Sequence, residues 1–236
     1  MIDWNLIEVG RVDSSNEYLK LLGKNGAVEG TAVRALSQSA GRGRQGNSWY
    51  SPPGLGLYLS WLLRPPLSFD KYDLLASLTA VPVIKALQSM FKIDVAIKWP
   101  NDIVADRKKL GGILGETFGR GTSNPFVVIG LGINCLHTKE DFPPELKKTA
   151  ISLSRLSVPC EPAVLCLPIL ESFGLLYTDI LQGNILPWRR EYRKRCISLG
   201  QRICRQGEEG MALDIDEMGR LLVRHDDGSV TKWHSI

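Results

Sequence analysis

The order of predicted elements along the chain defines an α+β protein whose main domain is followed by a small C-terminal β module. Three observations predict it. Short strand patterns with intervening turns fill the first half of the chain, helical stretches interrupt and follow them, and strand patterns resume after Leu199. Ile2–Val9 reads as a short strand. Ser14-x-x-Glu17 is a capping-box pattern that opens a helix running to Gly23. Thr31–Gln38 is the next strand, followed by the Gly/Arg-rich segment Gly41–Trp49 and the turn Ser51-Pro52-Pro53-Gly54. Leu55, Leu57, Leu59, Trp61 and Leu63 alternate with their neighbours, the period of a half-buried strand. Asp70–Phe91 is helical, with a kink expected at Pro82. Short strands follow at Val95–Trp99, Ile103–Ala105, Leu110–Thr117 and Phe126–Asn134, joined through turn residues. Pro162–Leu181 and Trp188–Ile197 read as helices, and the tail turns at Gly207, Glu217-Met218-Gly219 and Asp226-Asp227-Gly228.

The boundary between body and tail falls near Gly183–Gly200. Between Trp188 and Gln206 stand seven bases and one acid, whereas Gly207–Ile236 carries seven acids against three bases. That asymmetry reads as charge complementarity between helix and tail or as a solvated helix face, ahead of a nucleic-acid patch.

Composition narrows the function. The chain has 236 residues, 44% hydrophobic and 23% charged, which excludes disordered, collagenous and coiled-coil classes. No run of about 18 uninterrupted apolar residues predicts a membrane span, and the start Met1–Asn5 lacks a secretory pattern. A cytoplasmic protein is expected. Five cysteines without a Cys-x-x-Cys pair, and three scattered histidines, fit neither a disulfide framework nor a zinc cage. A net charge of +4 is too small to argue for nucleic acid.

Gly41-Arg42-Gly43-Arg44-Gln45-Gly46 satisfies G-x-G-x-x-G, but Asn47–Gly54 cannot continue as the helix that a dinucleotide fingerprint requires. No Gly-Lys-Ser/Thr ending makes it a P-loop either. The loop does offer a flexible backbone, two guanidinium forks that match carboxylate or phosphate oxygens, and the flat side chains of Trp49 and Tyr50. On spacing alone it is equally a lid over an anionic ligand or a solvated loop. Lys98 closes the apolar strand Val95-Ala96-Ile97 before Trp99-Pro100-Asn101-Asp102, which suits a fixed charge facing an anion; an isolated lysine there would snorkel to water. Asn101 and Asp102 serve equally as turn formers and ligand contacts, and Asp102 is a candidate oxygen ligand for Mg²⁺. Paired glycines within Lys109–Glu116 and again within Val128–Asn134 suggest a sheet face against which a ligand lies, or simply twisted-sheet packing.

Together these residues resemble the biotin protein ligases. The resemblance rests on Asp13-Ser14-Ser15-Asn16, on Gln38-x-x-Gly41-Arg42-Gly43-Arg44-x-Gly46-x-x-Trp49-x-Ser51-Pro52, on Lys98-Trp99-Pro100-Asn101-Asp102, on Lys109-Leu110-x-Gly112-Ile113-Leu114, and on Ile129-Gly130-x-Gly132-Ile133-Asn134. The tail, Gly210-x-Ala212…Asp216-x-x-Gly219-x-Leu221, is similar to the SH3-like module of such ligases. Two positions depart from the pattern: Asn47 stands where a basic residue is usual, and Lys232–Ile236 lacks a Gly-Glu pair.

The resemblance implies a mixed-sheet catalytic domain of the biotin/lipoate ligase type over 1–185, then a linker helix and SH3-like β module over 186–236. It implies that biotin is activated by MgATP to biotinyl-5′-adenylate and passed to a lysine of a biotin carboxyl carrier protein. Ser14, Ser15, Asn16 and Gln38 would bond the ureido end of biotin. Arg42, Gly43, Arg44 and Lys98 would hold the biotin carboxylate and α-phosphate, with Arg42, Arg44 and Lys98 as the catalytic cations. Trp49 would pack over the adenylate, while Arg44, Asn101 and Asn134 would contact the nucleotide. No DNA or membrane partner is expected, and the protein would act as a monomer or homodimer. A lipoate or octanoate ligase or transferase of the same fold is the alternative enzyme. A biotin-responsive transcriptional regulator is disfavoured, because the ligase pattern is entered at Asp13 with no helix-turn-helix before it.

Overall fold

A computed structural model describes residues 2–205 and 207–234. Ser235 and Ile236, which end the divergent C-terminal run, lie outside the described residues. The body is a seven-stranded mixed sheet ordered β1-β2-β3-β7-β6-β5-β4. Its strands are β1 (Asn5–Val12), β2 (Thr31–Gln38), β3 (Gly56–Leu63), β4 (Ala96–Lys98), β5 (Asp102–Ala105), β6 (Lys108–Phe118) and β7 (Phe126–Asn134). Helices α1 (Ser15–Lys24), α2 (Tyr72–Leu78), α3 (Ala80–Phe91), α4 (Cys166–Leu181) and α5 (Leu186–Arg195) surround it. A four-stranded antiparallel sheet follows: β8 (Arg202–Arg205), β9 (Glu208–Ile215), β10 (Leu221–Arg224) and β11 (Val230–Trp233).

Only β1 and β2 run parallel, because α1 carries the chain back between them; the remaining pairs of the large sheet are antiparallel. Pairing with β2 also shifts β1 three residues beyond the predicted Ile2–Val9, aligning Asn5 with Thr31 and Val12 with Gln38.

The expectation of a half-buried strand at Leu55–Leu63 is corrected: all eight residues of β3 are buried. The sheet is covered on both faces here. Leu62 packs with Leu19 of α1, Val33, Phe126 and Val128, whereas Leu57, Leu59, Trp61 and Leu63 join the larger core against α2, α3 and α4. Each such apolar side chain contributes about 1.5–3 kcal/mol on burial.

Two further local expectations change. Ser14 occupies the N-cap of α1 but makes no capping side-chain bond. The capping box does not close because Glu17 pairs instead with Lys20 and Arg42. The long helix breaks at Thr79 rather than kinking at Pro82. Pro82 becomes the third residue of α3, where a missing N–H leaves no helical acceptor unmet. Leu74–Phe91 and Pro162–Leu181 are apolar and long enough by composition to cross a membrane, but both pack against the sheet as core helices.

The basic helix is indeed complementary to the tail. Arg193 of α5 pairs with Asp214 at 2.6 Å and donates to the Ile215 carbonyl, while Arg195 donates to Gln88 of α3. Trp99 Nε1 donates to the Gly219 carbonyl at 3.2 Å, which brings the small sheet over the end of β4.

Candidate active site

The largest concentration of predicted residues lines one cleft of about 450 Å³, within the range of small-molecule sites. Ser14, Ser15 and Asn16 reach it from the start of α1, Gln38 from the end of β2, and Arg42, Gly43, Arg44 and Trp49 from the glycine-rich loop. Lys98, Asn101 and Asp102 come from the β4–β5 turn, whose Trp99–Pro100 peptide is cis. Asn134 is not brought into this lining. It is buried and donates to the carbonyls of Lys109 and Ile151, bracing the start of β6.

One end of the cleft is polar and closely bonded. Gln38 Oε1 accepts from the Ser15 backbone at 2.8 Å and from its hydroxyl at 3.1 Å. Ser60, fully buried on β3, donates to Asn16 Oδ1 at 2.6 Å and lies 2.8 Å from Ser15 Oγ. Asn16 Nδ2 donates to Glu116 at 2.8 Å, and Gln38 Nε2 to Ser51 at 2.7 Å. Buried amides and hydroxyls in such a chain present both donors and acceptors, the complement of a neutral group carrying both N–H and C=O.

The glycines of β6 and β7 have occupants. A Cβ on Gly130 would lie 2.1 Å from Asn16 Oδ1, and one on Gly132 would lie 2.4 Å from Cε2 and Nε1 of Trp49. Gly112 meets the same indole. The relief in the strands therefore seats two of the predicted site residues. Trp49 Nε1 is buried without a partner among the described residues.

The other end is cationic. Arg42, Arg44, Lys98, Lys109 and Arg205 line the cleft against a single carboxylate, Asp102, among the described residues. Burial, and then the neighbouring Arg205, push the Arg44 guanidinium below its ordinary value, with Asp102 opposing. Arg44 lies 3.4 Å from Asn101 Oδ1, whose amide nitrogen donates to the Ile113 carbonyl. Lys98 is exposed into the cleft and pairs with no carboxylate among the described residues. Arg42 differs: its guanidinium pairs with Glu17 and, at 3.0 Å, with Glu116. Asp102 pairs with Lys109 at 2.6 Å, and that ammonium also lies 5.4 Å from the Trp49 ring. An excess of cations beside a dry indole favours an anionic, ring-bearing ligand.

Sequence reasoning missed Lys109 and the wall that the small sheet supplies through Ile203, Cys204, Arg205, Leu221 and Trp233, as well as Ser60 and Glu116, which stand behind the lining and bond Ser15 and Asn16. Lys109 stood inside a quoted motif without a role. Nothing near Ser60 or Arg205 in sequence signals a ligand, since both reach the site through long-range packing.

A cleft with a polar floor, a cationic mouth and a glycine-relieved sheet defines a small-molecule site suited to a ligand that is neutral at one end and anionic at the other. The profile of the biotin/lipoate A/B protein ligase family matches residues 9–134, and the chain belongs to that family. It is 36% identical over 222 residues to the bifunctional ligase/repressor BirA of Bacillus subtilis, covering 92% of this chain and 68% of that protein. It is 30% identical to the biotin–[acetyl-CoA-carboxylase] ligase of Mycobacterium tuberculosis, over 92% of this chain and 83% of the other. The biotin protein ligase of Aquifex aeolicus, solved with biotin and ATP, superimposes with a TM-score of 0.79 at 26% identity, covering 97% of this chain and 94% of that one.

Proposed function

We propose that this protein activates biotin with ATP and transfers it to a lysine of a biotin carboxyl carrier protein, such as an acetyl-CoA carboxylase subunit. The observation that carries the reading is the single cleft running from the Ser15–Asn16–Gln38 floor to the Arg44–Lys98 mouth. In the first step the biotin carboxylate attacks the α-phosphorus; a P–O bond forms, the bond to the β-phosphate breaks, and pyrophosphate leaves. Two anions must approach, so fixed cations at the mouth lower the barrier. Arg44 and Lys98 fill that role, and Asn101 orients Arg44. In the second step the carrier lysine, as free amine, attacks the acyl carbon of the mixed anhydride and AMP leaves. Trp49 shields the anhydride from water.

Magnesium would be carried in on the polyphosphate. Asp102 fits such an ion as the one carboxylate lining the cleft among the described residues, while its Lys109 partner balances its charge before ATP arrives. The ion would neutralise the leaving pyrophosphate.

The polar floor favours biotin over lipoate. A dithiolane has no groups for Ser15, Asn16 and Gln38, and a site built for hydrogen bonds discriminates strongly against a ligand that lacks them. We further read residues 1–185 as the catalytic domain, 186–236 as linker helix and β module, and ligation in the cytoplasm as the activity, without DNA binding. The test is a biotinylation assay with ATP, biotin and a carrier domain, beside isothermal titrations with biotin and lipoate. A labelled carrier lysine is expected; lipoate binding in place of biotin, or operator-DNA binding by the purified chain, would overturn the reading.

A further inference from the structure

The polar floor is tied to the glycine-rich loop at both of the loop's stems. At one stem Gln38 Nε2 donates to Ser51 Oγ, which donates to the Trp49 carbonyl at 2.9 Å. At the other stem the connection is Glu116 of β6. Its two oxygens are divided: Oε1 meets the Arg42 guanidinium at 3.0 Å, and Oε2 accepts from Asn16 Nδ2 at 2.8 Å. Glu116 is largely buried, its side chain 17% exposed, and Arg42 is held from the far side by Glu17 of α1.

A carboxylate only accepts hydrogen bonds. Facing Asn16, it fixes that amide with Nδ2 toward β6 and Oδ1 toward Ser60 and the cleft. Asn16 has no room to adjust by sliding, because its Oδ1 already sits over the bare Cα of Gly130. We propose that Glu116 is a positioning residue with two tasks: it latches the ligand loop in its closed position through Arg42, and it sets Asn16 as an acceptor toward the bound substrate. Arg42 then acts through its carboxylate partners, leaving Arg44 and Lys98 to meet the anion. The second task rests on the biotin reading above; the first does not.

Glu116→Gln keeps the shape but offers one acceptor oxygen, which cannot serve both Arg42 and Asn16. The full-length variant is first compared with the native protein by limited trypsin digestion without ligand, following cleavage after Arg42 and Arg44. Loss of a charge-assisted contact to a half-exposed guanidinium predicts cleavage at least about threefold faster. A smaller change overturns the latch. Arg42→Gln releases the same contact from the other side together with the Glu17 pairing, so cleavage after Arg44 should rise at least as much, and the double variant should cleave no faster than Arg42→Gln alone. Additive acceleration also overturns it. This comparison stands even if Glu116→Gln melts lower, because Arg42 is a half-exposed loop side chain whose replacement leaves the core packing intact.

The second measurement is biotin-dependent ATP–pyrophosphate exchange. Glu116→Gln should raise KM for biotin up to about tenfold, the size of one lost neutral hydrogen bond from Asn16, with kcat within about threefold. An unchanged KM for biotin refutes the Asn16 task. Absence of exchange in the native protein refutes the ligase reading instead, and the digestion still decides the latch.

Discussion

Gly132→Ala isolates what the glycines of β7 do. The added Cβ would fall 2.4 Å from Cε2 and Nε1 of Trp49 and 2.8 Å from its Cζ2. Ordinary carbon contacts begin near 3.5 Å, so the indole must rise by about 1 Å. Trp49 sits on a loop and can move, so overpacking should cost only about 1 kcal/mol, the low end for such changes. The functional cost is larger, because a displacement of about 1 Å at a substrate-facing group can remove up to about 10²-fold in rate. The expected outcome in pyrophosphate exchange is a loss of about 30- to 100-fold in kcat/KM for ATP, with Tm lowered by only a few degrees. Removing the clash with a second change, Gly132→Ala with Trp49→Ala, should restore Tm without restoring activity. A Gly132→Ala protein with kcat/KM for ATP within about threefold of native would refute the idea that the indole's seat on β7 matters to the chemistry.

The remaining predictions concern the cations and one buried histidine. Lys98→Ala should nearly abolish biotin-dependent pyrophosphate exchange, a fall of at least about 10²-fold, without loss of Tm, since Lys98 is exposed and unpaired among the described residues; near-normal exchange would remove its assigned role. Arg44→Gly should weaken retention of the adenylate, so that non-specific lysines of bystander proteins become labelled; stray labelling at the native level while ligation continues would show that Arg44 does not retain it. His137 is fully buried against Phe142 and burial lowers its pKa to about 4. Its folded pKa lies below the unfolded value near 6.5, so folding disfavours the proton and stability falls as pH drops from about 6.5 toward about 4. The loss is at most about 3 kcal/mol, less where water penetrates, and His137→Phe should flatten the Tm-versus-pH curve over that window.

Most of the cleft-lining residues were legible in the sequence because they sit at local signals. Gln38 ends a strand whose limits match the predicted ones residue for residue, and Asn101 lies in a turn announced by proline, with Asp102 opening the strand after it. The glycine pairs of β6 and β7 pointed to a ligand lying against the sheet, whereas the groups that lie close to them are protein side chains, Trp49 and Asn16. Periodicity failed where burial is two-sided. The alternation in Leu55–Leu63 compares one residue with its neighbour and cannot register that α1 covers the second face. The capping box failed for a similar reason. Ser14-x-x-Glu17 is a local pattern, and a distant guanidinium, that of Arg42, competes for the carboxylate.

The C-terminal sheet carries this argument furthest. As sequence it is an acidic β tail, readable as an appendage that neutralises a basic helix. In the folded chain Trp99 donates to Gly219, Ser77 crowds that same glycine, and Arg205 stands 5.8 Å over the Trp99 ring while lining the cleft beside Arg44. The turn that presents Lys98, Asn101 and Asp102 is thus packed against the small sheet on one side and the body on the other. A substrate that bridges Arg44 and Lys98 must therefore bind a surface assembled from both sheets, and the electrostatics of the mouth depend on a guanidinium more than 100 residues away in sequence. Hydrophobic patterning reports which face of a strand is buried, never which distant charge stands across from it, so this half of the site becomes legible only in three dimensions.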